Sequence, residues 1–158
     1  MTTPKPDPVS VLLVEDTDDK REMYAESLRS VGYRTLQARN ADDALRLAIE
    51  LLPAVIVTDV VLPGSVDGFT LTRLLKENAR TQDTPVVILT GRVFEADRAN
   101  AAQVGCDLFL SKPCLPDELT AAVRRLTAAT RLAWIRGRAA SADLAMGGNQ
   151  ARRKLQGE

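Results

Sequence analysis

The sequence predicts a doubly wound α/β fold of five βα units, with a parallel sheet between two layers of helices. Three observations predict it. Strand-like segments alternate strictly with stretches whose apolar residues recur at helical spacing. The clearest strand candidates, Val-Leu-Leu-Val (11–14), Ala-Val-Ile-Val-Thr (54–58) and Pro-Val-Val-Ile-Leu (85–89), are continuous apolar runs, as strands buried on both faces are. Strict alternation in turn implies parallel pairing through right-handed crossovers, with helices on both faces.

Each element has its own grounds. The first strand is read at Val9–Val14. Thr17 or Asp18 can cap a helix over Asp19–Ser30, with Met23, Tyr24, Ala25, Leu28 and Val31 as its apolar positions and Gly32 as its stop. Tyr33–Ala38 is a short second strand. Asn40 caps a helix whose inward stripe is Ala44, Leu45, Leu47, Ala48 and Leu51, with Pro53 beyond its end. Ala54–Thr58 is the third strand, and after a loop with Pro63, Gly64 and Gly68 a helix runs over Phe69–Asn78. Pro85–Leu89 is the fourth strand, Arg92–Val104 a helix ended by Gly105, and Leu108–Leu110 the fifth strand. Pro116 suits the first turn of a last helix, and Asp117 and Glu118 complement its dipole.

Bulk properties narrow the function. The 158 residues suffice for one domain of ordinary size, and 45% hydrophobic with 27% charged residues is a globular balance. Net charge is zero, so nothing global argues for nucleic acid or a membrane surface. No apolar run reaches spanning length and no leader pattern opens the chain, so the expected location is cytoplasmic. Cys106 and Cys114 fit no metal spacing and read as idle thiols. Histidine is absent, which excludes His-dependent nucleophiles, His-ligated zinc and phosphohistidine on this chain.

Polar residues follow each well-defined strand: Glu15-Asp16, Asp59, Thr90 and Lys112-Pro113. In a parallel sheet they emerge at the carboxyl edge, where open α/β sheets bind ligands. Three carboxylates close together call for a counter-charge, and a hard cation that keeps several waters, Mg²⁺, suits such oxygen donors. A carboxylate can attack phosphorus to give an aspartyl phosphate. Transfer then needs its oxygens neutralised: Mg²⁺ on one, the Lys112 ammonium on a second, the Thr90 hydroxyl on a third.

These motifs resemble the receiver domain of the bacterial two-component response-regulator family. The resemblance covers about residues 9–129 and rests on Val-Leu-Leu-Val-Glu15-Asp16, Thr-Asp59-Val-Val-Leu-Pro63, Asp67-Gly68, Ile-Leu-Thr90-Gly and Phe109-Leu-Ser-Lys112-Pro113. It implies a flavodoxin-like fold with strand order 2-1-3-4-5, an order that comes from the resemblance and not from the pattern of elements. It also implies residue roles. Asp59 is the phosphoacceptor, Asp16 the direct metal ligand, Glu15 the acid holding a metal-bound water, and Val61 a backbone-carbonyl ligand. Thr90 and Phe109 are the switch residues, and Lys112 binds the phosphoryl group, with a cis bond to Pro113 usual in the family. Taken alone, an aromatic such as Phe109 reads more readily as core than as switch. Val61 and Arg92 flank the site and would influence how fast the acyl phosphate hydrolyses.

Two departures stand out. Gly68 lies nine residues after Asp59 where the family usually has eight, as in a subset of receivers with a Pro-Gly-Gly-Met-Asn-Gly loop, many of them in hybrid kinases. Gly91 replaces the small Ala common after the switch Thr.

The resulting expectation is a response regulator, not an enzyme in the ordinary sense, with self-phosphorylation and autodephosphorylation chemistry. A histidine kinase or histidine phosphotransfer protein would load Asp59, and the face of helix four, strand five and helix five would then change its affinity for an output protein. It would be a monomer or a phosphorylation-dependent homodimer. The alternatives are a phosphorelay intermediate or a receiver from a hybrid kinase. An aspartate-nucleophile phosphatase would want a second Asp two residues after Asp59, where Val61 stands. The expected organisation is a flexible lead at 1–8, the receiver at 9–129, and a helix extension with a disordered basic tail at 130–158. Residues 131–158 carry six Lys/Arg against two acids. They are too few for a winged-helix domain and leave open a basic docking arm, nucleic-acid binding, or a dimer contact through Trp134.

Overall fold

A computed structural model describes residues 7–91, 94–132 and 135–136. The chain divides into two units, Met1–Val123 and Arg124–Glu158. The first contains strands β1 (Ser10–Val14), β2 (Arg34–Ala38), β3 (Val55–Asp59), β4 (Val86–Thr90) and β5 (Leu108–Ser111), interleaved with helices α1 (Asp18–Ser30), α2 (Ala41–Leu51), α3 (Gly68–Glu77) and α4 (Glu95–Gln103). A fifth helix, α5, occupies residues 116–132, of which 116–123 belong to this unit. The strands form one parallel sheet in the order β2-β1-β3-β4-β5. The doubly wound fold with this strand order is therefore as expected.

The core explains the order of layers. β1, β3 and β4 are buried along nearly their whole length, which is why their sequences show no polar alternation. Successive side chains still face opposite layers. Leu12, Val14, Ile56 and Val86 cluster with Ala44 and Ala48 of α2 and Leu71 and Leu75 of α3. Leu13, Val57 and Leu89, of the other parity, border Tyr24 of α1.

Helix starts follow local chemistry. Asn40 caps α2 by accepting the Asp43 N–H at 2.8 Å, and Asp67 caps α3 by accepting the Thr70 N–H at 2.8 Å. At the start of α5, the Leu115 N–H donates to Glu118 at 2.9 Å, half of a capping box. Thr17 occupies the cap position of α1 without a side-chain bond.

Several sequence expectations are corrected. Met23, Val31 and Leu51 are exposed, not inward, and the buried stripe of α1 is Arg21, Tyr24, Ala25 and Leu28. α4 starts at Glu95; Phe94 precedes it and is exposed, with only Ala101 of the helix buried. Readings placed on residues 1–6, on Arg92, on Trp134 and on the tail from Gly137 onward lie outside the described residues. In the second unit, residues 124–132 and 135–136 are helical; Thr127 and Thr130 donate to the carbonyls of Arg124 and Leu126, and Leu132 and Ile135 are exposed. Among the described residues, no helix is long and apolar enough to cross a membrane.

Candidate functional site

Four strand ends build the site. Asp59 and Thr90 are the last residues of β3 and β4, one residue further into the sheet than the sequence suggested, so the ladder holds their backbones. Glu15 follows β1 directly, and its N–H continues the ladder to the Ala38 carbonyl at 3.1 Å. Lys112 follows β5, and its N–H donates to the Thr90 carbonyl at 2.7 Å. The register pairs Val14 with Thr58, Asp59 with Leu89, and Thr90 with Ser111. Residues distant in the chain thus meet at one edge. The Lys112 ammonium donates to Asp59 Oδ2 at 2.7 Å and to Glu15 Oε2 at 3.5 Å. The Lys112–Pro113 bond is cis.

Burial sharpens the electrostatics. Glu15 is 7% exposed. Its carboxyl sits above the ordinary range because burial disfavours its charge and because it shares a hydrogen bond and like charge with Asp59; Lys112 only partly offsets this. For Lys112, burial opposes the charge, but the carboxylates of Asp59 and Glu15 outweigh it, and its pKa is raised. The sign for stability follows. A carboxyl raised above its ordinary 4.5 favours folding most below that value, and the benefit is lost as pH rises through the raised value. Glu15→Gln is therefore expected to melt a few degrees above wild type at neutral pH in chelator. The gap should shrink on acidification and close with saturating Mg²⁺, as thermal melts across pH would read.

The loop after β3 is built tightly against Asp59. The Gly68 N–H donates to the Val60 carbonyl at 2.8 Å, and the Thr58 hydroxyl donates to the Asp59 carbonyl at 2.9 Å. A Cβ at Gly68 would overlap that same Asp59 carbonyl oxygen and come within 2.9 Å of Asp59 C and Val60 Cα. Between Pro63 and Asp67 the loop bends at Gly64, whose φ is 93°. Val61 is exposed, and its N–H donates to Asp59 Oδ1 at 3.4 Å.

The remaining expected residues fall as follows. Thr90 is 1% exposed. Phe109 is half-buried against a cluster of Val60, Phe69, Ile88 and Ala101, with the Arg98 guanidinium 5.9 Å from its ring centroid. Asp16 is exposed. Among the described residues, no group of three or more His, Cys, Asp or Glu side chains is arranged to hold a metal ion; the acids that meet are Glu15 and Asp59, through Lys112. The donor chemistry nonetheless fits a hard divalent cation: two facing carboxylates, one of them held above its normal pKa by burial and by the other, with a third acid next in the chain and the Lys112 ammonium between the two. Both cysteines are unbridged with thiols raised chiefly by burial, as idle thiols are.

Two site-bordering residues escaped the sequence reading. Arg21 is buried beside Glu15, and Tyr24, expected as plain core, donates its hydroxyl to the Cys114 carbonyl at 2.9 Å. A signal existed: Arg21, Tyr24, Ala25 and Leu28 complete an i, i+3, i+4, i+7 stripe.

The five-stranded parallel sheet in this order, with acids and an amine at its carboxyl edge, is the frame in which the comparisons with known proteins fall. Residues 11–124 match the response regulator receiver domain family, and the chain belongs to it. It is a signalling domain of bacterial two-component systems. The response regulator Rre1 of Synechocystis is 43% identical over 123 residues, covering 77% of this chain and 53% of that protein. The polar-differentiation response regulator DivK of Brucella anthropi is 34% identical over 106 residues, 67% of this chain and 85% of that protein. The chain spans about half the length of Rre1 and of several other curated relatives it matches. Among solved structures, the receiver domain of sensor histidine kinase PA1611 from Pseudomonas aeruginosa superposes with a TM-score of 0.70 at 30% identity, over 77% of this chain and 98% of that one. That protein holds a magnesium ion coordinated in its active site cleft.

Proposed function

We propose that this receiver accepts a phosphoryl group on Asp59 from a histidine kinase or a histidine phosphotransfer protein, with Mg²⁺ as cofactor. The observation that carries the reading is the Lys112 ammonium 2.7 Å from Asp59 Oδ2 at the edge where Thr90 ends β4 and Glu15 follows β1. Glu15, Asp16, Asp59 and the Val61 carbonyl would hold the cation, whose contribution is to neutralise charge on the phosphoryl oxygens. An Asp59 carboxylate oxygen forms the new P–O bond as the P–N bond to the donor imidazole breaks, and the imidazole leaves as a neutral base once it takes a proton. Lys112 then exchanges its Asp59 contact for a phosphoryl oxygen, and the Thr90 hydroxyl donates to another. The same groups serve hydrolysis of the acyl phosphate, with Val61 on the approach path.

The readout follows from packing. Drawing Thr90 toward the new charge moves the end of β4, whose Ile88 shares a cluster with Phe109. The surface of α4, β5 and the first turns of α5 then favours a different partner. The likeness to a sensor-kinase receiver supports a second reading, a phosphorelay intermediate that returns the group rapidly to a phosphotransfer histidine.

Incubation with acetyl phosphate and Mg²⁺ tests the proposal. Intact mass spectrometry is expected to show one phosphoryl adduct on wild type and none on Asp59→Asn or without Mg²⁺. An adduct on both proteins, or on neither, refutes it.

A further inference from the structure

Helix α1 buries two polar side chains in the stripe where apolar residues would pack as well. Arg21 and Tyr24 are each 7% exposed. Each donates to a main-chain carbonyl beside the site, and the two carbonyls lie on different loops. Arg21 Nη1 reaches the Glu15 carbonyl at 2.8 Å, in the acid-bearing turn between β1 and α1. Its other nitrogens are engaged by Gln37 Oε1 at 2.9 Å and Asp18 Oδ1 at 2.6 Å, so the guanidinium has one available orientation. The Tyr24 hydroxyl reaches the Cys114 carbonyl at 2.9 Å, two residues beyond Lys112. Both side chains border the same small cavity as Glu15 and Asp59.

Burying a guanidinium is unfavourable until its partners compensate, and the stripe alone would be served by an apolar residue. What the polar pair adds is reach. One arm grips the loop that carries the acids, the other grips the loop that carries the lysine, and both are rooted one helical turn apart on a rigid element.

Resting on the function proposed above, we infer that α1 is a two-armed clamp: Arg21 positions the Glu15–Asp16 turn for cation binding, and Tyr24 positions the Lys112 loop against Asp59. Neither residue forms a hydrogen bond with Asp59; both are positioning residues. Because the arms act on separate loops, their loss has separable effects.

The full chain provides the test, through Mg²⁺ titration followed by amide NMR shifts and phosphoryl uptake from acetyl phosphate at saturating Mg²⁺. Arg21→Gln is expected to weaken Mg²⁺ binding about tenfold, with Arg21→Lys recovering part of it. Tyr24→Phe is expected to keep Mg²⁺ affinity within about twofold of wild type while slowing uptake about tenfold, since it loosens only the lysine loop. Amide dispersion and melting temperature establish that each variant is folded at the assay temperature. A general loosening of α1 would move both properties in both variants, and that result overturns the clamp. So does wild-type uptake by Tyr24→Phe, which decides the matter even if neither Arg21 variant folds. Wild-type protein that takes up no phosphoryl group overturns the underlying function instead, and the clamp falls with it.

Discussion

Gly68→Ala is expected to unfold the first turn of α3 from the end of β3 and to lower both stability and phosphoryl uptake. The glycine is required for space. Its φ is ordinary, but the added methyl would overlap the Asp59 carbonyl oxygen and crowd Asp59 C and Val60 Cα at 2.9 Å. These are backbone atoms, so no side chain can rotate away, and the Gly68 N–H to Val60 bond ties the same two segments together. Overpacking typically costs 1–3 kcal/mol, and a backbone clash belongs at about 3 kcal/mol. For a domain of this size that corresponds to roughly a 10 °C fall in Tm. Relief by backbone movement would displace Asp59 itself, so uptake from acetyl phosphate should fall with it. A Gly68→Ala protein that melts and reacts like wild type would mean that the loop does not close on Asp59 as described.

Lys112→Met is expected to separate two properties that a damaged site would lose together. The methionine keeps the length of the stem and removes the ammonium that faces Asp59 and Glu15. Phosphoryl uptake should fall about 10²-fold or more, the usual cost of removing one donor from developing oxyanion charge. Mg²⁺ should bind more tightly, because a cation no longer competes with it for the same carboxylates. In chelator the variant should melt below wild type, since two facing carboxylates have lost their half-buried counter-charge, and Mg²⁺ should remove the difference. Calorimetric Mg²⁺ titration beside uptake kinetics reads both effects. Weaker Mg²⁺ binding would contradict the placement of Lys112 among the acids.

What the sequence made legible, and what it hid, has a common physical origin. The fold, and the meeting of Glu15, Asp59 and Lys112, could be read because the doubly buried strands β1 and β3, and β5 at the sheet margin, run out into polar residues that a parallel sheet brings to one edge. The same double burial hid which face each strand residue serves, since Leu12 and Leu13 are alike in sequence and point to opposite layers. α4 is shorter than the sequence pattern predicts because its Ala-rich stretch has little amphipathic pattern and buries only Ala101, so nothing in the sequence marks Phe94 as outside it. Met23 and Val31 share the helical spacing of the apolar positions yet lie exposed, and Arg21 carries no apolar signal because a charged residue usually faces water. Only its three engaged nitrogens explain its burial. Gly68 was visible as an unusual spacing, but a spacing does not show which backbone atoms crowd the position.

If residues from four strand ends form one cation-dependent pocket, Mg²⁺ titration of the ¹⁵N-labelled protein should give saturable, concerted shifts of the amides at 15–17, 59–62, 90–91 and 111–112, abolished or strongly weakened together in Asp59→Asn. No saturable shift, or shifts at one of these segments without the others, would contradict it.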